Sequence, residues 1–170
     1  MQKNINKLSK NEKMFLLSLL NGGNKTDTEI AKKTGLNKST CSRIRKRLED
    51  DIITDYIPII ELEKVGVDVF VVLMFKWKAF DKEDVTEKTF SELEKDPHVI
   101  FLASGEGSPQ FSSVMFLGFL NIDDYHKYFK EFRKKYDKYI SNVASLLLPS
   151  KEVIKTDFTQ IIKHVIKGGK

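Results

Sequence analysis

Residues 67–75 read Val-Asp-Val-Phe-Val-Val-Leu-Met-Phe, and this run narrows the choice of fold more than any other part of the chain. Successive residues of a strand point to opposite faces. Val69, Val71, Leu73 and Phe75 therefore share one face and Phe70, Val72 and Met74 the other, and both faces need cover. The elements expected downstream supply one cover. A strand over 67–77 is followed by a helix over 81–95, with Val85, Phe90 and Leu93 inward, then by strands over 99–103 and 111–120 separated by Gly105-Glu106-Gly107-Ser108-Pro109. A helix over 121–138 carries Ile122, Tyr125, Tyr128, Phe129 and Phe132 on one stripe, and a strand over 143–148 closes the series before Pro149. This order is a ferredoxin-like βαββαβ unit in an α+β chain, whose two helices cover one face of the sheet. The economical cover for the other is a second copy of the same sheet, in a two-fold homodimer. The alternative is an amphipathic helix at 157–167, with Phe158, Ile161, Ile162 and Val165, folding back over the sheet.

A different pattern precedes residue 60. In residues 26–48, Thr26 and Glu29 form a capping-box pair opening one short helix, with Ile30 and Ala31 inward. Thr34-Gly35 breaks it, and Asn37 is placed to cap a second. On that second helix Cys41, Ile44 and Leu48 form an apolar seam. Ser39, Ser42, Arg43 and Lys46 lie opposite, flanked by Lys38, Thr40, Arg45 and Arg47. Arg pairs with guanine edges in a major groove and flanking cations hold phosphates, so the pattern is that of a DNA-reading helix-turn-helix. An earlier helix over 8–20 ends at Asn21-Gly22-Gly23-Asn24, and short β segments at 52–56 and 57–60 stand where a wing would. The expected domains are a winged helix-turn-helix over 1–60 and a ferredoxin-like domain with a C-terminal helix over 61–170.

Charge separates a basic DNA surface from an ordinary solvated helix face. Residues 1–50 hold 12 Lys+Arg against 5 Asp+Glu, whereas residues 51–170 hold 17 against 19, so the excess positive charge sits beside the helix pair. A single cysteine excludes an internal disulfide framework, and the longest apolar runs are strand-sized, which points to a soluble cytoplasmic protein without a membrane partner. Enzymatic readings find little support. His98, His126 and His164 lie far apart without metal-ligand spacing, Cys41 falls on a core seam, and Gly105-Glu106-Gly107 lacks the context of a dinucleotide loop. No cofactor or metal is expected. The rival class is a ligand-binding or assembly module whose basic helices contact RNA or a protein partner.

Glu29-Ile30-Ala31, Gly35-Leu36, Ser39-Thr40-Cys41, Arg43, Arg47-Leu48-Glu49, Ile52-Ile53, Tyr56 and Leu62-Glu63-Lys64-Val65-Gly66, ahead of a βαββαβ module, resemble the leucine-responsive/asparagine-activator (Lrp/AsnC) regulators over nearly the whole chain. The resemblance implies a transcriptional regulator whose RAM-type second domain assembles dimers, with tetramers and octamers open, and meets a small-molecule effector such as an amino acid. The turn between the second and third strands, with Ser104, Gly105, Glu106, Gly107 and Ser108, is where that effector is expected. Two departures stand out. Arg43-Ile44-Arg45 replaces the family's Arg-Arg-apolar run and is closer to the multiple-antibiotic-resistance (MarR) regulators, and Asp50-Asp51 stands where a glycine usually precedes the Ile-Ile pair.

Overall fold

A computed structural model describes residues 8–22, 25–78, 83–155 and 157–168. The chain divides into two compact units, residues 1–60 with 156–170, and residues 61–155.

In the first unit, α1 (Lys10–Leu20), α2 (Asp27–Thr34) and α3 (Lys38–Asp51) are joined by α6 (Thr159–Ile166). Phe15, Ile30, Cys41 and Leu48 are at most 1% exposed, and Leu16, Leu19, Ile44 and Ile166 pack with them. Each such large apolar side chain contributes about 1.5–3 kcal/mol by leaving water, enough to hold helices too short to persist alone. The C-terminal helix therefore belongs to the core of the first unit, and not to the 61–170 domain in which the sequence order put it. Its Ile162 and Ile166 meet the apolar side of α1, which three helices alone would leave partly bare.

The expected wing strands at 52–56 and 57–60 are absent: residues 53–60 form no strand. A strand needs a ladder partner, and the local chemistry competes with one. Asp55 Oδ1 captures the Tyr56 N–H at 2.7 Å, and Pro58 has no N–H to give.

The second unit is the ferredoxin-like sandwich. Its elements are β1 (Val69–Trp77), α4 (Glu83–Glu94), β2 (Val99–Ser104), β3 (Ser113–Phe119), α5 (Ile122–Tyr136) and β4 (Ile140–Pro149), with antiparallel strand order β2-β3-β1-β4. Asp81 and the Val85 side chain, placed at the start of the first helix by the sequence, lie outside the described residues. Val71, Leu73, Phe75, Met115, Leu117 and Phe119 are buried beneath Leu93, Tyr125, Phe132 and Tyr136 of the two helices. The aromatic stripe of α5 is thus core, except that Ile122, in the first helical turn, is 41% exposed.

The opposite face of the sheet is apolar and only partly covered, with Phe70 buried and its neighbours half-buried. Register places Phe70, Val72 and Met74 beside Gly118, Phe116 and Val114 on one side and Leu148, Leu146 and Ala144 on the other. A bulge between Val99 and Phe101 leaves Ile100 and Phe101 half exposed, and Leu146 is 56% exposed. A Cβ at Gly118 would sit 3.2 Å from the Ile100 Cδ1, so the glycine lets the edge strand lie close across this face. The ordering of both strand alternations in the sequence is matched by the fold, and the need for a cover persists.

Candidate nucleic-acid interface

The geometry of α2 and α3 starts with their ends. Thr26 and Glu29 cap α2 reciprocally: the Thr26 N–H donates to Glu29 Oε2 at 2.7 Å and the Glu29 N–H to Thr26 Oγ1 at 3.3 Å. Hydrogen bonding to Thr26 holds the Glu29 carboxyl below the usual range. Gly35 then takes φ 75°, ψ 6°, and its N–H reaches the Ala31 carbonyl at 2.9 Å. A side chain here would meet no neighbour within 4 Å, so the requirement for glycine is one of backbone conformation, worth about 1–2 kcal/mol. Asn37 caps α3, its Oδ1 accepting from the Thr40 N–H at 2.7 Å and the Ser39 hydroxyl at 2.9 Å.

These caps fix the angle between the helices, and the buried seam fixes the rotation of α3. Cys41, Ile44 and Leu48 face the core. Burial pushes the Cys41 thiol up, in keeping with a packing role. Lys38, Ser39, Ser42, Arg43 and Lys46 are consequently exposed, with Thr40 half-buried at the margin. Five of the eight sequence-assigned residues thus share one solvent-facing surface.

Arg45 is differently placed. Its Nε lies 2.7 Å from Asp27 Oδ1, one terminal amine donates to the Lys25 carbonyl at 2.6 Å, and the other donates to the Tyr56 hydroxyl at 3.1 Å. The guanidinium also stands 5.3 Å from the Phe15 ring centroid, and the side chain is only 18% exposed. The Tyr56 hydroxyl donates in turn to Glu49 Oε1 at 2.9 Å, and burial, with Glu49 in support, pushes the Tyr56 phenol up. Arg45 therefore ties the start of α2, the middle of α3 and the segment after α3 into one network, with all three of its nitrogens engaged.

Arg47 is shared. Its guanidinium meets Glu12 Oε1 at 3.2 Å while the side chain stays 59% exposed. Glu12 also closes a capping box with Ser9, the Ser9 N–H donating to Glu12 Oε2 at 2.7 Å. Sequence reading missed Ser9 and Glu12, although Ser-x-x-Glu before an apolar run signals such a box. Arg43 and Arg47 flank a shallow depression of about 340 Å³ with Ser9, Asn11 and Thr40.

In the second unit, Gly105, Glu106, Gly107 and Ser108 form an exposed turn, in which Ser108 Oγ accepts from the N–H groups of Gln110 and Phe111, each at 3.2 Å. Ser104 lines a depression of about 440 Å³ between α4 and β2. Of the five residues assigned to an effector, Ser104 alone lines that depression.

Residues 16–51, from within α1 to the end of α3, match a family model described as winged helix-turn-helix DNA-binding. No curated protein matches the chain. Among solved structures, a transcriptional regulator of Neisseria meningitidis in complex with L-Met superposes at TM-score 0.81, with 19% identity over 94% of this chain and 99% of that one. An AsnC family transcriptional regulator from Agrobacterium tumefaciens gives TM-score 0.79, with 19% identity over 89% and 95%. Escherichia coli AsnC gives 0.73, with 16% identity over 88% and 97%.

The chain has the Lrp/AsnC-type fold.

Within that fold the helix-turn-helix lies at the N-terminus and the four-stranded antiparallel sheet with its two helices follows, as the sequence order indicated. No helix among the described residues is long and apolar enough to cross a membrane.

Proposed function

We propose that the protein is a sequence-specific DNA-binding transcriptional regulator of the Lrp/AsnC type, acting in the cytoplasm as a homodimer or larger even-numbered assembly and not as a catalyst. One observation carries this reading: α3 presents Arg43, Ser39, Ser42 and Lys46 outward while its other side is locked to α1 and α2 by Cys41, Ile44, Leu48 and Arg45. A rigid helix with one guanidinium among hydroxyls suits the major groove, where Arg takes both acceptors of guanine. Lys38 and the free part of Arg47 are placed to hold phosphates.

The proposed dimer joins the apolar sheet faces, since Ile100, Phe101 and Leu146 are otherwise half in water and two-fold pairing would present two copies of α3 to successive major grooves. Phe116→Asp is expected to leave the helix-covered core intact and give monomers in light scattering, with at least a tenfold loss of affinity for a two-half-site duplex. An unchanged dimer would locate the subunit interface elsewhere.

We extend the proposal to a small-molecule effector of the amino-acid class meeting residues 104–108, supported by the exposed hydroxyl and carboxylate groups of that turn and by the L-Met bound in the Neisseria relative. Calorimetric titration with L-methionine should show heat that Glu106→Gln weakens. Equal heats for both proteins would separate the effector from this turn. A protein that binds duplex RNA or an acidic protein as well as it binds duplex DNA would contradict the regulator reading as a whole.

A further inference from the structure

The charge of the second unit is concentrated. Residues 61–155 hold 14 Lys+Arg and 16 Asp+Glu, yet six of those cations lie within residues 127–138, accompanied by only Glu131 and Asp137. The rest of the unit is strongly acidic by comparison.

Helix α5 turns this excess into an ordered surface. Tyr125, Phe132 and Tyr136 anchor its inner side in the core. Lys127, Lys130 and Lys134, at spacings of three and four residues, stand together on the exposed side. Arg133 and Lys135 are engaged elsewhere, with Asp137 at 2.6 Å and Glu92 at 2.9 Å. Lys127 and Lys130 have no carboxylate within ion-pair distance among the described residues, and Lys134 has Glu131 at 3.8 Å, both ends exposed. Lys138, one turn on, rests its ammonium 4.6 Å over the Tyr139 ring. Favourable interaction with the negative end of the helix dipole accounts for cations in the last turn only. Lys127 and Lys130 lie upstream of it.

Resting on the regulator reading above, we propose that this lysine stripe of α5 is a second, sequence-independent contact for duplex DNA, separate from the half-sites read by α3. Lys127 to Lys134 rises roughly 10 Å along the helix, the axial length over which one strand of B-DNA presents about three phosphates. Ammonium groups on flexible stems act as point charges suited to backbone contact, and no guanidinium in the stripe is free to read a base edge. The fit is one of charge to polyphosphate.

The test compares the full-length protein on one selected operator placed in a duplex of about three helical turns and at the centre of one of about eight turns. Wild-type protein should bind the longer duplex at least tenfold tighter. The triple variant Lys127→Gln/Lys130→Gln/Lys134→Gln should lose that advantage, with the salt slope on the long duplex shallower by about 2–3 per protomer engaged, while its affinity and base preference on the short duplex stay unchanged. Replacement of all three by Arg should retain the advantage, which separates charge from any effect on folding. A wild-type protein that binds the short operator specifically but gains nothing from length would overturn the second contact and leave the role of α3 standing. Equal losses by the Gln variant on both duplexes would overturn it as well, and failure of wild type on either duplex would remove both readings.

Discussion

Arg43→Ala should cost about 1–3 kcal/mol on the preferred operator, roughly 5- to 150-fold in affinity, and should flatten the preference at one base position in each half-site. The expectation follows from where the side chain stands. Arg43 is exposed on the surface of α3 that the apolar seam turns outward, whereas Arg45 is held by Asp27, the Lys25 carbonyl and the Tyr56 hydroxyl, and Arg47 is partly engaged by Glu12. Arg43 is therefore the guanidinium of this helix available to grip a guanine through both its acceptors. Binding to unrelated duplexes should fall little, because a single phosphate-scale charge is lost there, with a change in salt slope near 1. Binding profiles of wild type and variant across all single-base changes of the operator would check this. A uniform loss at every sequence would make Arg43 a backbone contact and shift base reading to Ser39, Ser42 or Lys46.

Arg45→Ala should act on stability, lowering that of the first unit by about 2–4 kcal/mol. The substitution removes a charged bond to Asp27, a bond to the Lys25 carbonyl and one to the Tyr56 hydroxyl. It also leaves Asp27, itself only 19% exposed, without its cation. Arg45→Lys should recover only part of the loss, since an ammonium cannot span three acceptors in a fixed fork. Trp77 belongs to the second unit, so its fluorescence is a poor reporter, and amide hydrogen exchange in α2 and α3 is the appropriate measurement. Folded variant protein should keep the wild-type order of base preferences. Undiminished amide protection together with an altered base preference would return Arg45 to the DNA surface.

The contrast between these two arginines marks what can be read along a chain and what cannot. Caps are local: Thr26 and Glu29, or Asn37 and Thr40, lie within three residues, so their spacing alone indicates where α2 and α3 begin. Strand alternation is equally local, and residues 67–75 foretold a sheet apolar on both sides. The helical wheel of α3 correctly separated core from surface but set Arg45 with the flanking cations, because Asp27 is 18 residues away and only packing brings the two together. The same limit applies to α6. Its amphipathic pattern shows that it needs a partner, while the identity of that partner, α1, depends on which core is left open. Residues 52–60 have the composition of strands, but a ladder needs a neighbour and this segment pairs with none. Conversely, the lysines of α5 were legible at helical spacing and were masked by summing charge over 51–170, where acids elsewhere cancel them.

The Lrp/AsnC-type fold accounts for the division of labour only if α3 reads sequence and the sheets pair. Selection of bound duplexes from a random pool by the purified full-length protein, with its mass in solution recorded on the same sample, tests both together. Enrichment of a pseudo-palindrome with half-sites about one helical turn apart, from a dimer or a multiple of it, is the predicted result. A pool that stays random, with affinity collapsing as salt rises, would contradict sequence reading by α3 and leave only a general affinity for polyanions.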